Sequence, residues 1–342
     1  MSDRRVAVVL FNLGGPARPE DVRPFLNNLF SDPAIIGLPV LLRRPLADVV
    51  ARSRTRVAVA NYNALGGGSP LLAETKAQAL ALEAELARSG VAVRVTIAMR
   101  YWAPTIEAAA RDIAEFDPTD IILAPLYPQF STTTTESSLV SWDAAYRGAG
   151  ATHAICCWPT NEGLVSAHVE AIRETWDGAG RPPVRLLFSA HGIPARTARA
   201  GDPYPWQVEA TCLAIADRLG DGWDWKLCYQ SRVGPLRWLG PSTPDSIREA
   251  SRNGLGVLVD PVSFVSEHVE TLVELDRDYA RLAQDAGAPC FLRVPAVGVR
   301  AAFIRGLAEA ILRRLDRPGV GPDGVACPAG YDRCIRDERG AA

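Results

Sequence analysis

The chain holds four histidines, and two of them stand where their neighbours suggest chemistry. His191 lies in LLFSAHGIP, at the end of a strongly apolar run, where Gly192 and Pro194 force a turn. An imidazole at the C-terminal end of a buried strand titrates near neutral pH and can act as a base or a metal ligand. A histidine that merely caps a loop would look the same, so the second one matters. His268 lies in PVSFVSEHVETLVELD (261–276), after another apolar run in the same half, together with Glu267, Glu270 and Glu274. On an α-helix turning about 100° per residue, Glu267, Glu270, Glu274 and Asp278 share one stripe, with Val269, Leu272, Val273 and Ala280 opposite. Such a stripe is ordinarily a solvated face, and acids in a first turn suit the helix dipole without any function. Turned toward a cleft, the same carboxylates and histidine form an oxygen and nitrogen donor set suited to a divalent cation such as Fe²⁺.

Two further stretches have ligand-binding character. In GGGSP (66–70), Ser69 is placed as a helix N-cap and Pro70 as the first helical residue, while the glycines could bring backbone N–H groups to an anionic group such as a carboxylate. No GKS, GKT or suitable G-x-G-x-x-G accompanies it, which disfavours nucleotide binding. The segment FSDPAIIGLPVLLRRPLADVVARSRT (30–55) suits neither a strand nor the start of a long helix. Left exposed, Ile35, Ile36, Leu38, Val40, Leu41 and Leu42 would mark a ligand or membrane surface; tucked under a helix, they would be only a loop.

The elements that must position these groups follow from hydrophobic patterning. Eight apolar, β-branched runs (VAVVLFNL, VRVTIAM, DIILAPLYP, THAICCW, VRLLFSA, WKLCYQS, LGVLVDPVSF and CFLRVPAV) alternate with helix-like segments. This pattern predicts an α/β protein with parallel sheets covered on both faces. VAVVLFNLGGP (6–16) and VRLLFSAHGIP (184–194) each lead from an apolar run to a turn and a proline, so two similar Rossmann-like lobes of four strands each are expected. Ligand groups should gather at the strands' C-terminal edges. The expected division is 1–128 plus 299–316 for the first lobe, with the segment 301–315 as a returning helix. Residues 129–298 form the second lobe, and 317–342 a cysteine-containing tail outside either sheet.

Bulk properties exclude other classes. A net charge of −2 and no Lys/Arg block longer than a pair leave no nucleic-acid footprint. The N-terminal MSDRRVAVVLFNLGGP imitates a signal peptide but ends in Asn-Leu-Gly-Gly-Pro, and reads as a first strand. No run approaches the roughly 18 apolar residues of a membrane span. Seven cysteines, an odd number with no export signal, argue against a disulfide framework and fit a reducing cytoplasm.

In combination, NLGGP (12–16), GGGSP (66–70), RYWAP (100–104), LYPQFS (126–131), FSAHGIP (188–194), GDPYP (201–205), QSRVGPLRWLGP (230–241) and SFVSEHVETLVELD (263–276) resemble the ferrochelatase family up to about Leu315. The resemblance implies two Rossmann-like lobes around a porphyrin cleft and insertion of Fe²⁺ into protoporphyrin IX with release of two protons, the last step of haem biosynthesis. NLGGP and the long segment 33–42 look like the protoporphyrin-using branch; the alternatives are a coproporphyrin III ferrochelatase, a corrin-pathway Co²⁺ chelatase and a non-catalytic haem-binding protein. By the same resemblance His191 and Glu270 are the catalytic pair, and His191, His268, Glu270 and Glu274 handle the metal. Leu13, Tyr101, Trp238 and Phe264 line the cleft, and Arg54 and Ser69 hold the propionates. The segment 33–42 is the apolar lip, implying peripheral contact with the inner face of the membrane; a homodimer is a further expectation.

Several members of this family carry a 2Fe-2S cluster on four cysteines. Here Cys327 and Cys334 are spaced C-x6-C, and Cys156 and Cys157 could complete the set. The chain departs from the animal pattern, having Thr132 or its neighbours where that pattern has its internal cysteine.

Overall fold

The computed structural model describes residues 4–88, 90, 93–232, 234 and 236–335. Val233 and Pro235 of QSRVGP and residues 336–342 of the expected tail lie outside the described residues. The chain divides into two compact units. The first comprises residues up to Leu126, Ser131–Ile155 and Arg313–Val320; the second comprises Tyr127–Phe130, Cys156–Leu312 and the residues from Gly321 on.

In the first unit, β1 (Val6–Asn12), β2 (Val93–Met99), β3 (Asp120–Pro125) and β4 (Ala151–Ile155) form a parallel sheet in the order β2-β1-β3-β4. All seven residues of β1 are buried, as expected of a central strand covered on both faces. The tail does enter a sheet, contrary to expectation. Its residues Val320–Gly321 form β9 beside β4, and the Ala154 N–H donates to the Gly319 carbonyl at 3.0 Å. The edge of β4 thereby gains partners that an open edge strand lacks.

The segment 30–55 also differs from its reading, because an α-helix runs from Val40 to Ala64 with Pro45 inside it. Pro45 sits near the helix start, so its missing N–H costs one bond, to the carbonyl of the 84% exposed Leu41. The long helix-forming stretch behind it outweighs that loss. Leu41, Leu42 and Val49 project from this helix, each at least 60% exposed.

In the second unit, β5 (Val184–His191), β6 (Trp225–Gln230), β7 (Gly256–Asp260) and β8 (Phe291–Arg293) form a parallel sheet in the order β6-β5-β7-β8. The register pairs His191 with Gln230 and Phe188 with Asp260, so the ends of β5, β6 and β7 share one edge. Leu186, Phe188, Val208, Cys212 and Ile215 pack the face beneath it. The returning helix Ala301–Asp316 groups with this unit as far as Leu312 and with the first unit from Arg313.

The acidic segment is not the α-helix on which the wheel was drawn. From Glu270 to Tyr279 it is π-helical, and only then α-helical over Ala280–Asp285. The i→i+5 turns of a π-helix are wider than α turns and occur often at functional sites. The four-carboxylate stripe does not survive. Glu267 turns to Arg293 and Asp276 joins it there, while Asp278 pairs with Arg277 at a half-exposed position.

Candidate active site

The edge formed by β5, β6 and β7 assembles the second unit's chemistry. His191 is the last residue of β5, and its backbone is held from two sides. Its N–H donates to Ser263 Oγ at 3.0 Å, and its carbonyl accepts from the Tyr204 hydroxyl at 2.9 Å. Gly192 is required by crowding: a Cβ there would lie 2.9 Å from the Gln230 carbonyl and 3.2 Å from the Trp238 ring. Trp238 also bridges to Pro194 through its backbone. Phe264 stands edge-on between the two imidazoles, at 6.3 Å from His191 and 4.6 Å from His268 between ring centroids.

His191 and Glu270 come together. Nε2 of His191 lies 3.5 Å from Oε1 of Glu270, and each side chain keeps about a third of its surface open, 37% and 34%. Nδ1 of His191 meets the Gly192 carbonyl at 2.6 Å. Since a carbonyl only accepts, Nδ1 carries a proton, and Nε2 is the nitrogen that faces the carboxylate. Desolvation pulls the His191 pKa down, but the charge and hydrogen bond of Glu270 outweigh it, and the value rises to about 9. Glu270 is pushed up by desolvation and down more strongly by His191, reaching about 2. The resting pair is therefore imidazolium and carboxylate.

His268, expected among the metal ligands, turns one ring nitrogen to the backbone of the acidic segment. Its Nδ1 accepts the Glu270 N–H at 3.0 Å. An Nδ1 that accepts carries no proton, so the ring's proton sits on Nε2; burial, the largest influence on it, lowers its pKa. In that tautomer it offers no lone pair at Nε2, and its visible contribution is to hold the start of the π-helix. Glu274 is equally committed, accepting from Ser231 N (2.9 Å), Ser231 Oγ (2.5 Å), Gln230 Nε2 (3.3 Å) and Tyr279 Oη (2.6 Å).

Four substrate-binding expectations fall in the first unit. Leu13 follows β1, where its N–H donates to the Asn12 side chain at 2.8 Å. Ser69 caps the helix Leu71–Arg88 through its Oγ, 3.3 Å from Leu71 N. Its own N–H donates to Pro16 O at 2.8 Å, and a Cβ on Gly15 would collide with it at 2.5 Å. The NLGGP and GGGSP loops are thus one packed structure, which explains the glycines without a ligand. Arg54 is half-buried on the helix Val40–Ala64. Tyr101 does not present an open ring: it is 3% exposed, and its hydroxyl donates to Asp32 at 2.7 Å beneath Arg100. A buried hydroxyl needs such a partner, and the carboxylate draws the ring into the core.

Cys156, Cys157, Cys327 and Cys334 are all buried in the second unit. Cys156 Sγ and Cys157 Sγ are 3.6 Å apart. Further thiol contacts join Cys156 to Cys334, Cys157 to Cys327 and Cys327 to Cys334, closing a ring of four. Cys327 Sγ also receives Gln207 Nε2 at 3.0 Å. The contact with Cys157 lowers the Cys156 pKa, but Cys334 and burial carry it well upward; Cys157 rises through its contacts with Cys156 and Cys327 and through burial. Among the described residues no three His, Cys, Asp or Glu side chains surround a single metal position.

The sequence reading gave no role to Ser263, Gln230, Ser231, Tyr204 or Tyr279. Four of them lay inside the quoted motifs QSRVGP, GDPYP and SFVSEHVETLVELD, and only the sheet register shows what they touch.

The ferrochelatase family model matches residues 5–315. A ferrochelatase from Phenylobacterium zucineum is 56% identical over 342 residues, covering 99% of this chain and 100% of that one. Another, from Caulobacter vibrioides, is 54% identical over 337 residues, covering 98% and 96%. Among solved structures, SirB from Bacillus subtilis with Fe³⁺ is similar at a TM-score of 0.53 with 12% identity, covering 91% of this chain and 95% of that one. CbiX, the terminal enzyme of sirohaem biosynthesis in denitrifying bacteria, is similar at 0.51 with 15% identity, covering 91% and 99%. These two likenesses concern the fold alone.

Proposed function

The chain belongs to the ferrochelatase family, and from that premise we propose that it inserts Fe²⁺ into protoporphyrin IX through the His191–Glu270 pair. The reaction replaces two pyrrole N–H bonds with Fe–N bonds, and the porphyrin becomes protohaem as two protons leave. It therefore needs a site that accepts a dication and a base that accepts protons from a ring nitrogen. The observation that carries this reading is the 3.5 Å approach of His191 Nε2 to Glu270 Oε1.

The resting imidazolium can neither accept a proton nor bind a cation, so it must first be discharged. Fe²⁺ arriving at Glu270 supplies the cue. The dication screens the carboxylate charge that holds the His191 pKa up, and burial then favours the neutral ring. Nε2 releases its proton to solvent, since the pair is about one-third open, and becomes a base just as iron reaches the neighbouring oxygen. His191 takes pyrrole protons one at a time and passes them to solvent, and Glu270 yields iron to the ring nitrogens. Trp238 and Phe264, flat and half-buried beside His191, supply apolar faces for a macrocycle.

The four-thiol ring fits a 2Fe-2S cluster by donor type and number, since each iron asks the protein for only two thiolates. Cys156, Cys157, Cys327 and Cys334 would hold it, losing their protons on binding; when bound it supplies one-electron chemistry, which iron insertion does not use. The exposed apolar face at Leu38, Val40, Leu41, Leu42, Leu46 and Val49 supports peripheral contact with a membrane. Among the described residues no helix is long and apolar enough to cross one.

The test is anaerobic mixing of protein, Fe²⁺ and protoporphyrin IX. Loss of porphyrin fluorescence with two protons released per haem, read by a pH indicator, is expected; unchanged fluorescence contradicts the reading.

A further inference from the structure

Glu270 and Glu274 occupy the same π-helix, yet their surroundings differ in kind. The Glu270 carboxylate faces His191 at 3.5 Å. Glu274 accepts four hydrogen bonds, two on each oxygen: Ser231 N–H and Tyr279 O–H on Oε1, Ser231 O–H and the Gln230 amide on Oε2. A carboxylate has about four acceptor sites, so this one is filled by the protein itself. Tyr279 is five residues on, the spacing that a π turn stacks.

Two features show what these bonds hold in place. Ser231 has φ +62°, a left-handed backbone that a non-glycine residue keeps only when its surroundings impose it. Both its N–H and its hydroxyl end on Glu274. Gln230 is 0% exposed and connects the two halves of the reacting pair. Its Nε2 donates to the Glu270 carbonyl at 3.1 Å as well as to Glu274. Its Oε1 accepts from Ser189 at 2.8 Å, two residues before His191 on β5, and its backbone carbonyl accepts the Gly192 N–H at 2.9 Å. Gln230 thus touches the strand that ends in His191 and the helix turn that begins with Glu270, and Glu274 is one of the acceptors that hold its amide.

We infer that Glu274 is a positioning residue, which clamps Gln230 and Ser231 at the end of β6 and so sets the His191–Glu270 spacing, rather than a ligand for incoming iron. Iron at Glu274 would have to displace protein donors and release the strained Ser231 backbone. The Glu270 carboxylate, by contrast, faces the His191 ring across 3.5 Å and keeps about a third of its surface open. The inference rests on the reading of His191 and Glu270 as the reacting pair.

The experiment is steady-state kinetics with Fe²⁺ varied at saturating protoporphyrin IX, under anaerobic conditions, for Glu274→Gln and for the double variant Ser231→Ala/Tyr279→Phe. The double variant keeps the Glu274 carboxylate and removes two of its donor side chains. Positioning predicts that each lowers kcat by about tenfold, the usual effect of disturbing a supporting shell, with the KM for Fe²⁺ unchanged. Combining all three changes should then cost little more than Glu274→Gln alone, because one clamp is broken once. A raised KM for Fe²⁺ in Glu274→Gln beside an unimpaired double variant makes Glu274 a ligand and overturns the inference. Unchanged kcat in both variants overturns it as well. His191→Ala run in parallel separates the levels: if turnover survives that change, the reading of the pair is wrong; if turnover is lost while Glu274 behaves as a ligand, only the clamp is wrong.

Discussion

Nε2 of His191 and Oε1 of Glu270 lie 3.5 Å apart, close enough for each group to set the other's protonation state. Glu270 holds His191 up at about 9, and His191 holds Glu270 down at about 2. In the proposed mechanism the pair is charged at rest, and the His191 ring is discharged when another cation takes the carboxylate.

His191 should therefore titrate near pH 9 in the ligand-free protein, followed through its ring C–H resonances. Glu270→Gln removes the main influences raising that value while burial remains, so the variant should titrate below the ordinary histidine value of 6.5. An unshifted titration in Glu270→Gln would show that the two side chains do not couple.

The same pair makes stability depend on pH in a predictable direction. His191, raised from 6.5 to about 9, contributes fully below pH 6.5 and loses its contribution as pH rises through 9. Glu270, lowered from 4.5 to about 2, contributes fully above pH 4.5 and loses it as pH falls through 2. The melting temperature of the wild type minus that of Glu270→Gln should be largest between pH 4.5 and 6.5 and shrink on both sides. Solvent screening at a pair about one-third open keeps the difference small, and a difference that grows above pH 9 would have the wrong sign.

A second histidine–carboxylate contact behaves oppositely, because it is sealed. His168 Nδ1 meets Asp260 Oδ1 at 3.0 Å with both side chains 0% exposed. The remaining polar atoms, His168 Nε2 and Asp260 Oδ2, have no hydrogen-bond partner among the described residues. Removing one member strands the other, so His168→Leu should cost about 3–5 kcal/mol in denaturant unfolding, and His168→Leu/Asp260→Val should recover most of it. A double variant no better than the single one would show that the pair itself stabilises the fold.

The thiol ring predicts colour. Freshly purified protein should absorb in the visible and contain iron and acid-labile sulfide, and Cys156→Ser or Cys334→Ser should abolish both while the protein still folds. A colourless wild type lacking iron and sulfide contradicts the cluster.

Much of this was legible from residue types alone. Eight apolar runs became β1–β8 in their expected places, and His191 stands at the end of β5 because its apolar run stops at a Gly-x-Pro turn. Sequence could not show the π-helix, whose wide turns are secured by Glu274 meeting Gln230 at the end of β6 and Ser231 just beyond it. Nor could it show that Tyr101 is buried, since that depends on Asp32 arriving from a distant loop. The tautomer of His268 is set by one backbone N–H, which no residue count records. The wheel that grouped Glu267, Glu270, Glu274 and Asp278 grouped side chains with four different partners.

The central claim is that His191, paired with Glu270, performs the proton transfers of iron insertion. Its most direct test is anaerobic turnover of Fe²⁺ and protoporphyrin IX by His191→Ala, followed by loss of porphyrin fluorescence, with porphyrin binding measured separately. Near-complete loss of turnover with porphyrin binding retained is the predicted result; turnover persisting in His191→Ala would contradict it.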